Sequence, residues 1–254
     1  CVLIIALALL NRFIFVRKTK RIIEEEKNRS DNLLLNILPA ETAMELKQKG
    51  RVQARKFESV TVLFTDFKGF THYSKDLSPE VLVKSLDYYF SKFDRIFEKY
   101  GLEKIKTIGD SYMCSGGLHS QTKDHALKMV QAAFEVLEFV ENTKKNTTTN
   151  VNFDIRIGIN TGSVVAGVVG NKKFAYDIWG DTVNVASRME SMSEPGKINI
   201  SHSTYELIKS YFECEYRGEI EAKNRGKIRM YFVNGIKKNA MGADKKLIKD
   251  ENAL

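Results

Sequence analysis

Apolar residues recur along this chain with two different periods, and the switches between them mark out its elements. Ser59 to Phe67 is an apolar run that reads as a buried strand. From Pro79 onward, Leu82, Leu86, Tyr89, Phe90, Phe93, Ile96, Phe97 and Tyr100 fall at helical spacing, which predicts a long helix with its aromatic residues in the core. Leu102 to Ile108 and Ser111 to Ser115 read as a hairpin joined through Gly109-Asp110. Thr122 to Glu141 predicts a second helix, and the polar stretch Asn142 to Asn150 a loop. Phe153 to Asn160 alternates as a strand, and Ser163 to Val169, rich in small residues, reads as another. Asp181 to Met192 predicts a helix with Asp181 as its N-cap. Short strands then surround a last helix, Ser203 to Ser210, and the pattern ends near Val233. Strands separated by helices, with an internal antiparallel hairpin, predict an α+β fold: one sheet with helices on one face.

The N-terminal region has a different character. Cys1 to Val16 is apolar except for Asn11 and Arg12, and is shorter than the roughly 20 residues that span a bilayer. Arg17-Lys18-Thr19-Lys20-Arg21 follows at once, as on the cytoplasmic flank of a membrane helix. The expectation is a partial transmembrane helix over 1–16, anchoring a cytoplasmic domain at a membrane; the alternative is an amphipathic lead-in helix. Residues 17–50 read as a connecting and dimerisation helix, broken at Pro39 and resumed from Glu41 to Lys49 before Gly50. The globular domain is expected over 57–235, and 239–254 reads as a polar, disordered tail.

Composition sets bounds on this picture. The 254 residues suit one domain of about 180 to 200 residues with flanking segments. Apolar content of 43% and charged content of 28% allow a sizeable core. Three cysteines, Cys1, Cys114 and Cys214, lack metal-type spacing, and their odd number suits a reducing compartment. The net charge of +8 is concentrated in the N-terminal cluster and the tail. No aromatic residues are interleaved with those basic runs, so a nucleic-acid partner is not expected. The histidines His72, His119, His125 and His202 show no ligand spacing.

Two carboxylates carry the candidate chemistry. Asp66, in Phe64-Thr65-Asp66-Phe67, and Asp110, in Ile108-Gly109-Asp110, each sit where an apolar run gives way to a Gly-containing turn. A carboxylate at the end of a buried strand needs compensation for its charge. Two such groups meeting at one place would suit divalent cations beside a substrate phosphate. Locally, an Asp beside a Gly is better explained as a turn residue, and only the rest of the chain tips the balance. The turn Phe67 to Thr71 could offer backbone N–H groups to phosphate oxygens, with Gly69 permitting close approach.

Three stretches, in order, carry a resemblance to a known family. They are Phe64-Thr65-Asp66-Phe67 with Gly69-Phe70-Thr71, then Lys106-Thr107-Ile108-Gly109-Asp110, then Trp179-Gly180-Asp181-Thr182-Val183-Asn184-Val185-Ala186-Ser187-Arg188-Met189. Together they resemble the class III nucleotidyl cyclases, from about Phe57 to Val233. The resemblance implies a ferredoxin-like cyclase fold, a central mostly antiparallel sheet with helices, preceded by the N-terminal helix. It implies conversion of ATP to 3′,5′-cyclic AMP and pyrophosphate with two Mg²⁺ or Mn²⁺ ions.

The same resemblance assigns roles residue by residue. Asp66, Asp110 and the backbone carbonyl of Phe67 match the metal ligands, and Phe67, Gly69, Phe70 and Thr71 the phosphate turn. Asn184 would orient the ribose and Arg188 would stabilise charge developing on the α-phosphate; the alternative for Arg188 is a surface ion pair with Glu190 or another acid. Lys106 and Asp177 would read the purine, a donor and an acceptor that complement adenine, where family members that use GTP carry Glu and Cys. Their alternatives are a solvent-facing strand lysine and a turn cap. Lys223 would contact the terminal phosphates, although Lys223-Asn224-Arg225-Gly226 departs from the usual Lys-Gly-Lys-Gly and leaves Arg225 as a rival. Both halves of the site on one chain imply a homodimer with shared active sites. The competing readings are a guanylate cyclase and a catalytically silent regulatory module.

Overall fold

Strand β1 (Arg55–Lys68) explains most of the architecture, because its two faces are buried against different partners. The computed structural model describes residues 2–70, 74–75, 77–118, 122–146, 153–170, 173–222 and 226–238. Its elements are α1 (Val2–Leu35), α2 (Ala40–Lys49), β1, α3 (Pro79–Lys99), β2 (Glu103–Ile108), β3 (Ser111–Gly116), α4 (His125–Asn146) and β4 (Asp154–Val169). Then come β5 (Ala175–Trp179), α5 (Asp181–Ser191), β6 (Ile198–Ser201), α6 (His202–Ile208), β7 (Phe212–Ala222) and β8 (Gly226–Ile236). The chain divides into two compact units, Cys1–Ala54 with Gly167–Tyr176, and Arg55–Ala166 with Asp177–Leu254.

In the first unit α1 is one continuous helix that runs from the apolar lead through Arg12 and the basic cluster. No helix among the described residues is long and apolar enough to cross a membrane. The partial transmembrane helix expected over 1–16 is therefore not supported. Lys47 of α2 forms an ion pair with Asp31 of α1. Residues 239–254, expected to be a disordered tail, lie outside the described residues.

In the second unit the strands run in the order β2-β3-β1-β4-β6-β8-β7, with β5 pairing β4 off this path. Along that path the pairings are antiparallel apart from β4 with β6, giving the mixed α+β fold with a central sheet. Side chains alternate across a strand. Leu63 and Phe67 of β1, with Ile155, Ile157 and Ile159 of β4, face a core shared with Tyr89, Phe93 and Phe97 of α3 and Met129, Val136 and Val140 of α4. Each such side chain, fully withdrawn from water, contributes about 1.5–3 kcal/mol.

The opposite face carries α5, so the helices divide between the two faces of the sheet instead of lying on one. Gly158 explains how α5 approaches. A Cβ there would lie 1.8 Å from the backbone nitrogen of Glu190. The expected strands 153–160 and 163–169 are one strand, β4, which stays paired to β1 across Thr161 and Gly162.

Local chemistry accounts for the helix ends. Ser78 caps α3, its side chain accepting from the Val81 N–H with Pro79 in the first turn. Gly180, not Asp181, is the N-cap residue of α5, and Asp181 occupies its first turn, where a negative charge is favourable.

A buried polar chain ties the start of α4 to the start of α5. His125 Nδ1 lies 2.7 Å from Thr61 Oγ1, and hydroxyl contacts continue to Thr161 at 2.8 Å and Thr204 at 3.0 Å. Ser201 donates to Asn160 Oδ1, and Asn160 Nδ2 donates to the Thr182 carbonyl at 2.9 Å. Burial holds the His125 imidazole below the ordinary histidine range, against a smaller upward pull from Asp124.

The unfolded chain thus accepts a proton that the folded chain refuses once pH falls through about 6.5. Stability supplied by this site is present above that pH and lost on acidification. Wild type should lose more stability than His125→Gln as pH falls below about 6.5. Chemical denaturation of both proteins across that range checks it, and parallel losses would refute the assignment.

Candidate active site

The same alternation that sends Phe67 into the core turns Asp66 to the α5 face of the sheet. Its cross-strand partner on β4 is Arg156. Gly109, with φ of 62°, makes the tight turn between β2 and β3 that brings Asp110 to the same place. Ser111 Oγ donates to Asp66 Oδ1 at 2.9 Å. The Asp110 carboxyl is raised above the usual carboxylate range, first by burial and next by the charge of Asp66, with which it also shares a hydrogen bond. The Phe67 backbone pulls weakly the other way. Two carboxyl groups crowded this closely favour either a proton or a cation between them.

Arg156 Nη2 donates to Asp66 Oδ2 at 2.7 Å, and the same nitrogen lies 3.0 Å from Glu190 Oε1. Glu190 is 7% exposed, and its carboxyl is pushed up to about 7, by burial foremost and then by Asp66. Glu190 is thus the partner of Arg156, not of Arg188. Two residues apart on a helix, Arg188 and Glu190 point about 200° away from each other.

The donor set suits a hard dication. Magnesium is held by one or two carboxylates together with water and substrate phosphates rather than by an all-protein cage. Asp66 and Asp110 supply those carboxylates. Among the described residues no group of three or more His, Cys, Asp or Glu could hold a metal alone. Further oxygens then have to come from main chain, such as the Phe67 carbonyl, or from substrate.

Lys106 of β2 and Asp177 of β5 meet directly, Nζ to Oδ2 at 2.5 Å. Asp177 Oδ1 also accepts from the Ile178 N–H at 2.9 Å, which fixes the carboxylate plane. The partly exposed lysine is therefore ion-paired, and the aspartate does more than cap a turn. Asn184 and Arg188 share the exposed side of α5. Arg188 Nη1 donates to the Glu221 carbonyl on β7 at 2.7 Å. Gly69 takes a left-handed φ of 75°, and Phe70 packs on the core, its ring 5.9 Å from Phe153. The Phe67 side chain is core, leaving only its main chain to the site. Thr71, Lys223 and Arg225 lie outside the described residues.

Arg156 and Glu190 escape a reading of the sequence alone. Arg156 sits among the polar positions of an alternating strand, where a solvated residue looks identical. The available signal was Arg156, Gly158 and Asn160 together: one face of a buried strand that carries no large apolar side chain.

The profile of the "Adenylate and Guanylate cyclase catalytic domain" family matches residues 52–235. An adenylate cyclase of Mycobacterium tuberculosis is 40% identical over 221 residues, covering 87% of this chain and 49% of that protein. The chain thus spans about half the length of that curated relative. Among solved structures, the guanylate cyclase domain of RhGC from Catenaria anguillulae in complex with GTP is 38% identical with a TM-score of 0.68, covering 72% of this chain and 100% of that one. The adenylyl cyclase CyaB from P. aeruginosa is 33% identical with a TM-score of 0.67, covering 73% and 98%.

Proposed function

The chain belongs to the class III adenylate and guanylate cyclase catalytic domain family, and on that premise we propose that it converts ATP to 3′,5′-cyclic AMP and pyrophosphate at sites shared between two copies of itself. The observation that carries the choice of ATP is the Lys106–Asp177 pair. Adenine presents an N1 acceptor and an amino donor, which a lysine donor and an aspartate acceptor complement. Guanine presents the reverse polarity and would leave both groups opposed by like partners.

Asp66 and Asp110, with the Phe67 carbonyl, would hold two Mg²⁺ or Mn²⁺ ions beside the triphosphate. When bound, the ions' chemistry is to make the ribose 3′-hydroxyl more acidic and to offset phosphate and pyrophosphate charge. Asn184 orients the ribose, and Arg188 meets the charge that develops at the α-phosphate. Main-chain N–H groups from Phe67 to Thr71 receive phosphate oxygens, and Lys223 or Arg225 the terminal phosphates.

The homodimer reading rests on helix geometry. Glu190 places one side of α5 over the chain's own Asp66, through Arg156. Arg188 therefore points away from those carboxylates, towards β7. On the roles that the family resemblance assigns, a second copy would supply the arginine to each carboxylate pair. Activity per chain should accordingly rise with protein concentration and saturate. Purified chain assayed with Mn²⁺ over a dilution series tests this; constant specific activity down to the monomer would refute it.

Guanylate cyclase is the second reading, favoured by the likeness to a GTP-bound guanylate cyclase domain. Parallel assays with ATP and GTP separate the two, and a preference for GTP would overturn the first.

A further inference from the structure

Arg156 and Glu190 have a bonding pattern that the cyclase reaction as described does not use. A guanidinium has five N–H donors in a fixed fork. In Arg156 one nitrogen serves both Asp66 and Glu190, Nη1 makes a long 3.5 Å contact with the Ser191 carbonyl, and Nε has no hydrogen-bond partner. Glu190 Oε1 is buried, lies in ion-pair contact with Arg156 and accepts no hydrogen bond of good geometry. The arginine is therefore committed to Asp66 while a second acceptor stands ready at 3.0 Å.

That arrangement matters for any cation drawn to Asp66. Arg156 already holds Asp66 Oδ2, one of the oxygens a dication would take. A dication and a guanidinium on the same carboxylate repel each other, so the cation binds more weakly for as long as Arg156 stays on Asp66. Arg156 cannot simply swing into water, because its side chain is only 25% exposed. Glu190 is the acceptor within reach.

We propose that Glu190 is a positioning residue that draws Arg156 from Asp66 onto itself, and so sets how tightly the site takes a divalent cation. This rests on the metal-site reading of Asp66 given above.

Mn²⁺ binding to the full chain without nucleotide tests it, followed by electron paramagnetic resonance of the free ion. Glu190→Gln should weaken Mn²⁺ binding about tenfold in the wild-type background, the size of coupling expected between groups in direct contact. In an Arg156→Gln background, where nothing competes for Asp66, the same change should matter less than about threefold. Arg156→Gln alone should tighten binding. Glu190→Asp keeps the negative charge but withdraws the carboxylate by one methylene, and should weaken binding nearly as much as Glu190→Gln.

Equal losses in both backgrounds, or an unchanged Glu190→Asp variant, would reduce Glu190 to a remote negative charge and overturn the proposal. Asp66→Asn separates the two levels. If it binds Mn²⁺ like wild type, the metal-site reading itself fails. If it loses binding while Glu190→Gln does not, only the role of Glu190 fails.

Discussion

Asp110→Asn should lower cyclic-nucleotide formation by about a thousandfold or more, since a ligand to catalytic dications is worth several kcal/mol in the transition state. The fold should be untouched. The Asp110 carboxyl is held up by burial and by repulsion from Asp66, so a neutral isostere removes an unfavourable charge. Its thermal stability should equal or exceed that of wild type. Asp66→Asn should be as inactive and somewhat less stable, because Asp66 accepts from both Ser111 and Arg156. Partial exposure limits that loss to about 1 kcal/mol. Turnover measured alongside melting checks both variants. Activity within tenfold of wild type in either would end the two-metal assignment, and a collapsed fold in Asp110→Asn would contradict its strained ground state.

The second large effect concerns base choice. Lys106→Glu alone should nearly abolish use of either purine nucleotide, because it sets two carboxylates where a 2.5 Å ion pair now stands. Adding Asp177→Cys should restore turnover, now with GTP. The ratio of kcat/KM for ATP over GTP should fall by about 10²–10³, the scale on which a site built from hydrogen bonds rejects a mismatched partner. The two changes should be strongly non-additive, since the residues touch. Steady-state kinetics of wild type, both single variants and the double variant on both nucleotides decide it. A ratio that moves less than tenfold would mean that the pair is only structural.

Much of the fold was legible because local rules determine it. Ser78-Pro79 announces α3, Gly109-Asp110 closes its hairpin, and the aromatic spacing from Leu82 to Tyr100 finds the core face. The errors share one cause: information carried by another part of the chain. Asp181 looks like an N-cap by residue type, yet Gly180, at a φ of 140° that other residues rarely adopt, takes the cap one residue earlier. Thr161-Gly162 looks like a break between strands, but the neighbouring β1 continues the ladder through it. Arg156 and Glu190 belong to a half-buried ion cluster only because β4 and α5 are drawn together at Gly158, a contact no local pattern encodes.

Strand β1 has a further consequence, for what an activity measurement means. Phe67 and Asp66 are neighbours in sequence and opposites in environment, one in the aromatic core and one beside Arg156. Slipping β1 by a single residue against β3 and β4 would exchange them, driving a carboxylate among Tyr89, Phe93 and Phe153 and a phenyl ring into the ion cluster. No graded intermediate lies between those states. Specific activity in a refolded preparation therefore counts molecules with the strand in register. At saturating protein and metal concentrations, a refolded preparation should lose activity in proportion to the molecules out of register, not by uniform weakening of every site.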